Sequence, residues 1–230
     1  LQPIMALSAT AHALAKPDDP VAADLREIAK AADKARDLVR QMLTLTRKGD
    51  APKRPVSLSQ HVRDIAVLLR ASVGAKIAID IVDEVAGDER DDVVLVGVSD
   101  VQQILLNLVL NSAYAMRPKG GTIRVRVGFW RGEPPATAVD GGAGFMRVDV
   151  EDEGVGMDMM TLERVFEPFF TTKPAGEGTG LGLATVHGIV RSLGGSITVA
   201  SDVGRGTTFT SAVPRAPPSS ALLGATDSSV

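Results

Sequence analysis

Gln103-Ile-Leu-Leu-Asn107-Leu-Val-Leu-Asn111 is the stretch on which the reading turns. Its three carboxamides recur at every fourth residue, so a helix carries them on one face, among aliphatic neighbours. Amides surrounded by aliphatic side chains need hydrogen-bond partners. An interhelical amide network supplies them in one reading. In the other the partner is a ligand, because a carboxamide oxygen is a hard donor suited to Mg²⁺ that already carries triphosphate oxygens. The helix is predicted from about Ser99 to Met116.

Three more segments follow in order. Glu151-Asp-Glu-Gly-Val-Gly-Met157 ends an alternating strand. Asp152 there can accept a hydrogen bond from an exocyclic amine such as adenine N6, and Gly154 and Gly156 let the backbone turn beside a flat ring. An ordinary acidic turn is the plainer alternative. Val165-Phe-Glu-Pro-Phe-Phe-Thr-Thr-Lys173 places three of the six phenylalanines within five residues, a cluster expected to fold onto the domain and brace a lid, or simply to fill the core. Gly176-Glu-Gly-Thr-Gly-Leu-Gly-Leu183 has glycine at every second position and runs into a helix, which frees backbone N–H groups for phosphates. It is not a Walker A loop, since no Lys-Ser/Thr pair follows, nor does it follow a strand as a dinucleotide fingerprint does. A flexible loop is the alternative.

Around these segments the 230 residues divide into three regions. Residues 1–50 read as two helices, the second with a heptad seam through Val21, Leu25, Ile28, Ala32, Ala35, Val39 and Met42. Lys16-Pro-Asp-Asp-Pro20 separates them. Such a hairpin cannot bury its stripe alone and is expected to pair with a second copy as a four-helix bundle, or to dock on a neighbour. The proline-broken run from Gly49 to Pro55 marks the boundary of a mixed domain spanning 55–213. That domain holds a helix over Ser59–Leu69, strands at Lys76–Val82, Thr122–Phe129, Phe145–Glu151, Ser196–Ala200 and Thr207–Val213, and a helix near Leu181–Leu193. The acidic run from Asp80 to Asp92 reads as a solvated loop, and residues 214–230 as a linker or disordered tail.

Composition narrows the function. A formal charge of −3 offers no basic field for nucleic acid, and no apolar run reaches the roughly 18–20 residues of a membrane span. The lack of cysteine excludes disulfides, thiolate zinc sites and cysteine nucleophiles. The start at Leu1 suggests a cytoplasmic piece of a longer chain with no direct membrane contact.

In this order the four segments resemble the N, G1, F and G2 boxes of sensor histidine kinases, part of the wider ATPase group that includes gyrase, Hsp90 and the mismatch-repair ATPases. The resemblance covers residues 1 to about 213, and the F-box wording is closest to kinases often fused to a receiver domain. It implies an α+β fold: an antiparallel helical hairpin forming a dimeric four-helix bundle, then a Bergerat-type α/β sandwich that binds ATP and Mg²⁺. Asn111 would coordinate the metal and Asn107 would sit beside the phosphates, where hydrolysing relatives carry a glutamate base. Asp152 would hold the adenine amine, with Gly154 and Gly156 shaping that wall. Gly178, Thr179, Gly180, Leu181, Gly182 and Leu183 would wrap the triphosphate, Lys173 would add charge, and Thr207 would lie near adenine. Tyr114 departs from the family, which usually has a charged residue there.

The resemblance also implies a phosphoacceptor histidine, and none of the three present fits. His12 is followed by Ala13 rather than an acid and is separated by only four residues from the helix-ending Pro17, while His61 and His187 read as structural or solvent-facing. The acceptor is therefore expected upstream of Leu1, and a receiver aspartate, possibly on a fused domain, as the next acceptor. Two alternatives stand beside this reading: a hydrolysing ATPase of the same group, and an idle nucleotide-sensing dimer module.

Overall fold

The computed structural model describes residues 3, 6–7, 10–11, 21–29, 31–32, 53–85, 92–117, 119–133, 143–174 and 177–217. The chain falls into two compact units, Leu1–Arg47 and Lys48–Val230. In the first, every described residue is helical. Val21 and Ile28 of the expected seam are exposed, whereas Ala22 and Ala32 are buried. The Lys16–Pro20 bend, His12 and the seam beyond Ala32 lie outside the described residues.

The second unit is a two-layer α/β sandwich. Its elements are β1 (Arg54–Ser57), α1 (Leu58–Ser72), β2 (Ile77–Asp83), β3 (Val93–Val96), α2 (Val98–Ala115), β4 (Gly121–Phe129), β5 (Phe145–Asp152), α3 (Met159–Arg164), α4 (Gly182–Ser192), β6 (Ser196–Asp202) and β7 (Gly206–Pro214). Five strands form one sheet in the order β2-β4-β5-β7-β6, with β2 and β4 parallel and every other pair antiparallel. Period-two alternation gives the sheet two different faces. Ile123, Val125 and Val127 of β4 and Met146, Val148 and Val150 of β5 are buried in one core with Leu105, Leu108 and Val109 of α2. Val62 and Leu69 of α1 and Val186 and Val190 of α4 complete that layer. The intervening strand residues are charged and pair across the outer face: Arg124 and Arg126 with Glu151, and Arg147 with Asp149 and Glu84. Among the described residues, no helix is long and apolar enough to cross a membrane.

Several expectations are corrected. Arg54–Ser57, placed at the edge of the boundary, is a strand paired antiparallel with β3 as a separate two-stranded sheet. Pro55 is tolerated because a short edge strand can spare one N–H. Asp92 is not part of a solvated loop; it is fully buried, and its Oδ2 accepts from the Ser57 and Ser59 hydroxyls and the Ser59 N–H, capping α1. Asp80 and Asp83 belong to β2, and residues 86–91 lie outside the described ones. Helix α3 was not anticipated; Asp158 Oδ1 caps it by accepting from the Thr161 N–H at 2.8 Å. Ordered pairing also runs past residue 213: β7 ends at Pro214, Arg215 bridges to Val94, and the Ala216 N–H donates to Val93 O at 2.7 Å. The phenylalanine cluster is split. Phe166 packs against the core, while Phe169 is 61% exposed with φ +68°.

Candidate functional site

Helix α2 lays its amides against the start of α4. A Cβ on Gly182, the first residue of α4, would lie 3.3 Å from Asn107 Oδ1 and 3.8 Å from Asn111 Nδ2. Leu181, the N-cap, has no polar side chain to offer, so the leading N–H groups of α4 lack a side-chain cap. Asn107 Nδ2 is buried without a hydrogen-bond partner. An unpaired buried donor beside an uncapped helix N-terminus makes a site suited to anionic oxygen. The approach to α4 is held from below: the Leu181 N–H donates to Thr179 Oγ1 at 3.3 Å, and Gly180, at φ +66°, lies against the backbone of Phe169. Phe169 N–H donates to Gly180 O at 2.9 Å, tying the phenylalanine segment to the glycine loop.

Asp152, at the end of β5, is 4% exposed. Its Oδ2 accepts from the Ser112 hydroxyl at 2.7 Å and its Oδ1 from the Gly154 N–H at 2.9 Å. A carboxylate has further lone pairs, so this one can still accept from a ligand amine. Burial raises its pKa, against the hydrogen bonds from Ser112, Gly154 and Thr207. Thr207 is opposite Asp152 in the β5–β7 register, buried, with Oγ1 2.9 Å from Ser201 Oγ. The turn after Asp152 is tight. The Val155 N–H donates to Ala115 O at 3.2 Å, and Gly156, at φ +68°, packs on the Asp202 carbonyl where no Cβ fits. A cavity of about 280 Å³ opens beside it, lined by Ala115, Met116, Gly154, Val155 and Gly204 among others.

Lys173 comes from the phenylalanine segment and returns to α2: its Nζ donates to Asn111 Oδ1 at 3.1 Å. Burial lowers its pKa, and Arg117 lowers it further, with Glu177 opposing. Gly178 packs on the Lys173 stem and on Thr171 Oγ1.

The structure thus brings Asn107, Asn111, Lys173, Gly178, Thr179, Gly180, Leu181 and Gly182 together along the C-terminal half of α2. Asp152, Gly154, Gly156 and Thr207 gather one residue further on, joined through Ser112. Leu183 instead packs against the core. The motif reading missed Ser112, a hydroxyl on the buried face four residues after Leu108, and it left Tyr114, Arg117 and Glu177 without a role. Of the histidines, His61 is buried with Nε2 3.2 Å from Val98 O, and His187 stacks on Phe166 with ring centroids 5.4 Å apart. Chemically, one end offers donors and a cation to a polyanion, and the other a buried acceptor beside a glycine turn.

Residues 97–217 match the model of a family described as histidine kinase-, DNA gyrase B- and HSP90-like ATPase. The sensor kinase CckA of Brucella abortus (strain 2308) is 37% identical over 205 residues, 86% of this chain and 21% of CckA. The signal transduction histidine-protein kinase AtoS of Escherichia coli (strain K12) is 30% identical over 197 residues, 85% of this chain and 30% of AtoS. The chain spans less than a third of either relative. The crystal structure of full-length ShkA in complex with AMPPNP superposes with a TM-score of 0.69 at 25% identity, over 94% of this chain and 44% of that one.

Proposed function

The chain belongs to the histidine kinase-, DNA gyrase B- and HSP90-like ATPase family, and we propose from this that it is the ATP-binding core of a protein-histidine kinase in a two-component system. Asp152 accepts the adenine amine, and the turn at Gly154 and Gly156 borders the ring. Asn107 Nδ2 and the N–H groups opening α4 donate to the phosphates, with Gly178, Thr179 and Gly180 wrapping the chain of phosphates. Asn111 offers its carbonyl oxygen to Mg²⁺, and Lys173, 3.1 Å from that oxygen, would yield it to the metal and add positive charge at the terminal phosphate. Bound there, Mg²⁺ would neutralise charge on the phosphate oxygens. The single observation that carries the reading is the buried, partnerless Asn107 Nδ2, on an amide whose Oδ1 lies against the uncapped start of α4.

An amide at position 107 cannot take a proton from water. The site therefore holds and aims the γ-phosphoryl group rather than hydrolysing it, which suits transfer to an imidazole by positioning and charge neutralisation. The acceptor histidine lies upstream of Leu1, and a receiver aspartate takes the group next. The exposed Val21 and Ile28 belong to the seam through which two copies pair. Titration calorimetry with ADP and with a non-hydrolysable triphosphate, with and without Mg²⁺, tests the nucleotide site, and no heat with either would refute it. Phosphorylation from labelled ATP only when the upstream segment is restored tests the acceptor, and acid-labile label on His12 would refute its placement.

A further inference from the structure

At the C-terminal turn of α2, Tyr114, Arg117 and Glu177, which have no role above, join Lys173 and Asn111 in one cluster. Tyr114 presents its ring between two cations: Arg117 Cζ and Lys173 Nζ each lie 4.3 Å from the ring centroid. Arg117 continues to Glu177, at 2.9 Å, and Lys173 continues to Asn111 Oδ1, at 3.1 Å. One chain of contacts, Glu177–Arg117–Tyr114–Lys173–Asn111, therefore runs from the start of the glycine loop to the amide proposed for the metal. Three of its members lie within seven residues on α2 and its end, and the other two come from the segment that follows the phenylalanine cluster.

Two features say what the ring does. An aromatic face attracts an ammonium without supplying a counter-charge, so the contact with Tyr114 leaves Lys173 available to an anion. The carboxylate of the cluster, Glu177, is engaged by Arg117 at 2.9 Å and by the Tyr114 side chain, and it makes no ion pair with Lys173 among the described residues. Furthermore, one carbonyl oxygen cannot hold an ammonium and a divalent cation side by side without strong like-charge repulsion. When Asn111 Oδ1 goes to a metal, Lys173 must leave that oxygen, and the Tyr114 face is the contact that still holds the ammonium beside the site.

We propose that Tyr114 is the positioning residue for Lys173: its ring holds the ammonium at the phosphate end of the site, so that Tyr114 governs affinity for the terminal phosphate and not for adenosine. This rests on the nucleotide-site reading above and gives a reason for an aromatic residue where the family usually carries a charged one.

The experiment is calorimetry on the full chain with Mg²⁺ and three probes: a non-hydrolysable ATP analogue, ADP and AMP. The variants are Tyr114→Phe, Tyr114→Leu, Lys173→Met and the Leu/Met double variant. Tyr114→Phe keeps the ring face and is expected within two-fold of the parent for every probe. Tyr114→Leu is expected to weaken the triphosphate by about two- to thirty-fold, the span of a partly buried cation–π contact, with AMP unchanged. In the Lys173→Met background the same change is expected to cost nothing more. Equal losses for triphosphate and AMP, additive losses in the double variant, or a Tyr114→Phe defect as large as that of Tyr114→Leu would each overturn the proposal. Thermal midpoints check folding, and Tyr114→Met, which fills the space without a π face, repeats the comparison should the leucine variant unfold. A parent protein that binds none of the probes sinks the nucleotide site itself. A parent that binds while Tyr114 proves indifferent sinks only this inference.

Discussion

Asp152→Asn is the sharpest perturbation of the site, because it removes the charge and an acceptor while keeping the side chain's shape and its bonds to Gly154 and Ser112. In the parent, Oδ1 accepts from the Gly154 N–H and Oδ2 from the Ser112 hydroxyl. An asparagine oriented with its oxygen on Gly154 places its amide nitrogen toward Ser112 Oγ, which can accept in return. The bonds with Ser112 and Gly154 survive, the one from Thr207 is weakened, and the charge and one acceptor face are lost. A hydrogen bond to a charged group contributes about 1.5–3 kcal/mol, so ADP affinity should fall about 10- to 150-fold at roughly 1.4 kcal/mol per factor of ten. Inosine diphosphate, with a carbonyl in place of the exocyclic amine, is the control. The parent should prefer ADP, and D152N, which can present a donor, should lose or reverse that preference in calorimetry. The pH profile gives a second reading. Protonation removes the acceptor, and burial raises the Asp152 pKa. ADP affinity should therefore drop with acid at a pH above the ordinary aspartate value of about 3.9, and this drop should be missing in D152N. A folded D152N that keeps the parental ADP-to-IDP ratio would refute the assignment.

Leu105 is fully buried in α2, and Leu105→Ala should cost about 2–5 kcal/mol in urea unfolding. Phe169 is exposed at φ +68°, so Phe169→Gly should be more stable than Phe169→Ala by about 1 kcal/mol in the same assay. Burial, and then Arg191, lowers the His187 pKa, so the fold prefers the neutral ring. Its contribution is complete above the unfolded value of about 6.5 and is lost as pH falls from there toward the lower folded value. Urea midpoints should decline over that interval, and His187→Gln should remove that part of the slope.

Long elements were legible because period and punctuation agree. Helix α2 and the β4–β5 pair each span eight residues or more, and glycines mark the turns at 154–156 and 178–182. Strands β1 and β3 are four residues each, too short for alternation to show, and they pair only because the chain returns across α1 and β2. Asp92 was misread because a run of acids suggests solvent, whereas this member is claimed by Ser57 and Ser59 at the start of α1. The Tyr114 cluster was invisible for a different reason. Its defining contacts, Lys173–Asn111 and Arg117–Glu177, join residues 62 and 60 positions apart, a separation that no local pattern encodes.

Strand β3 is flanked on one side by β1, through which the chain arrives, and on the other by Arg215 and Ala216, through which it departs. Two strand spacings, about 10 Å, separate those neighbours. Entry to the sandwich and exit from it are thus tied to the same four-residue strand, so a change in β3 acts on both ends of the domain at once.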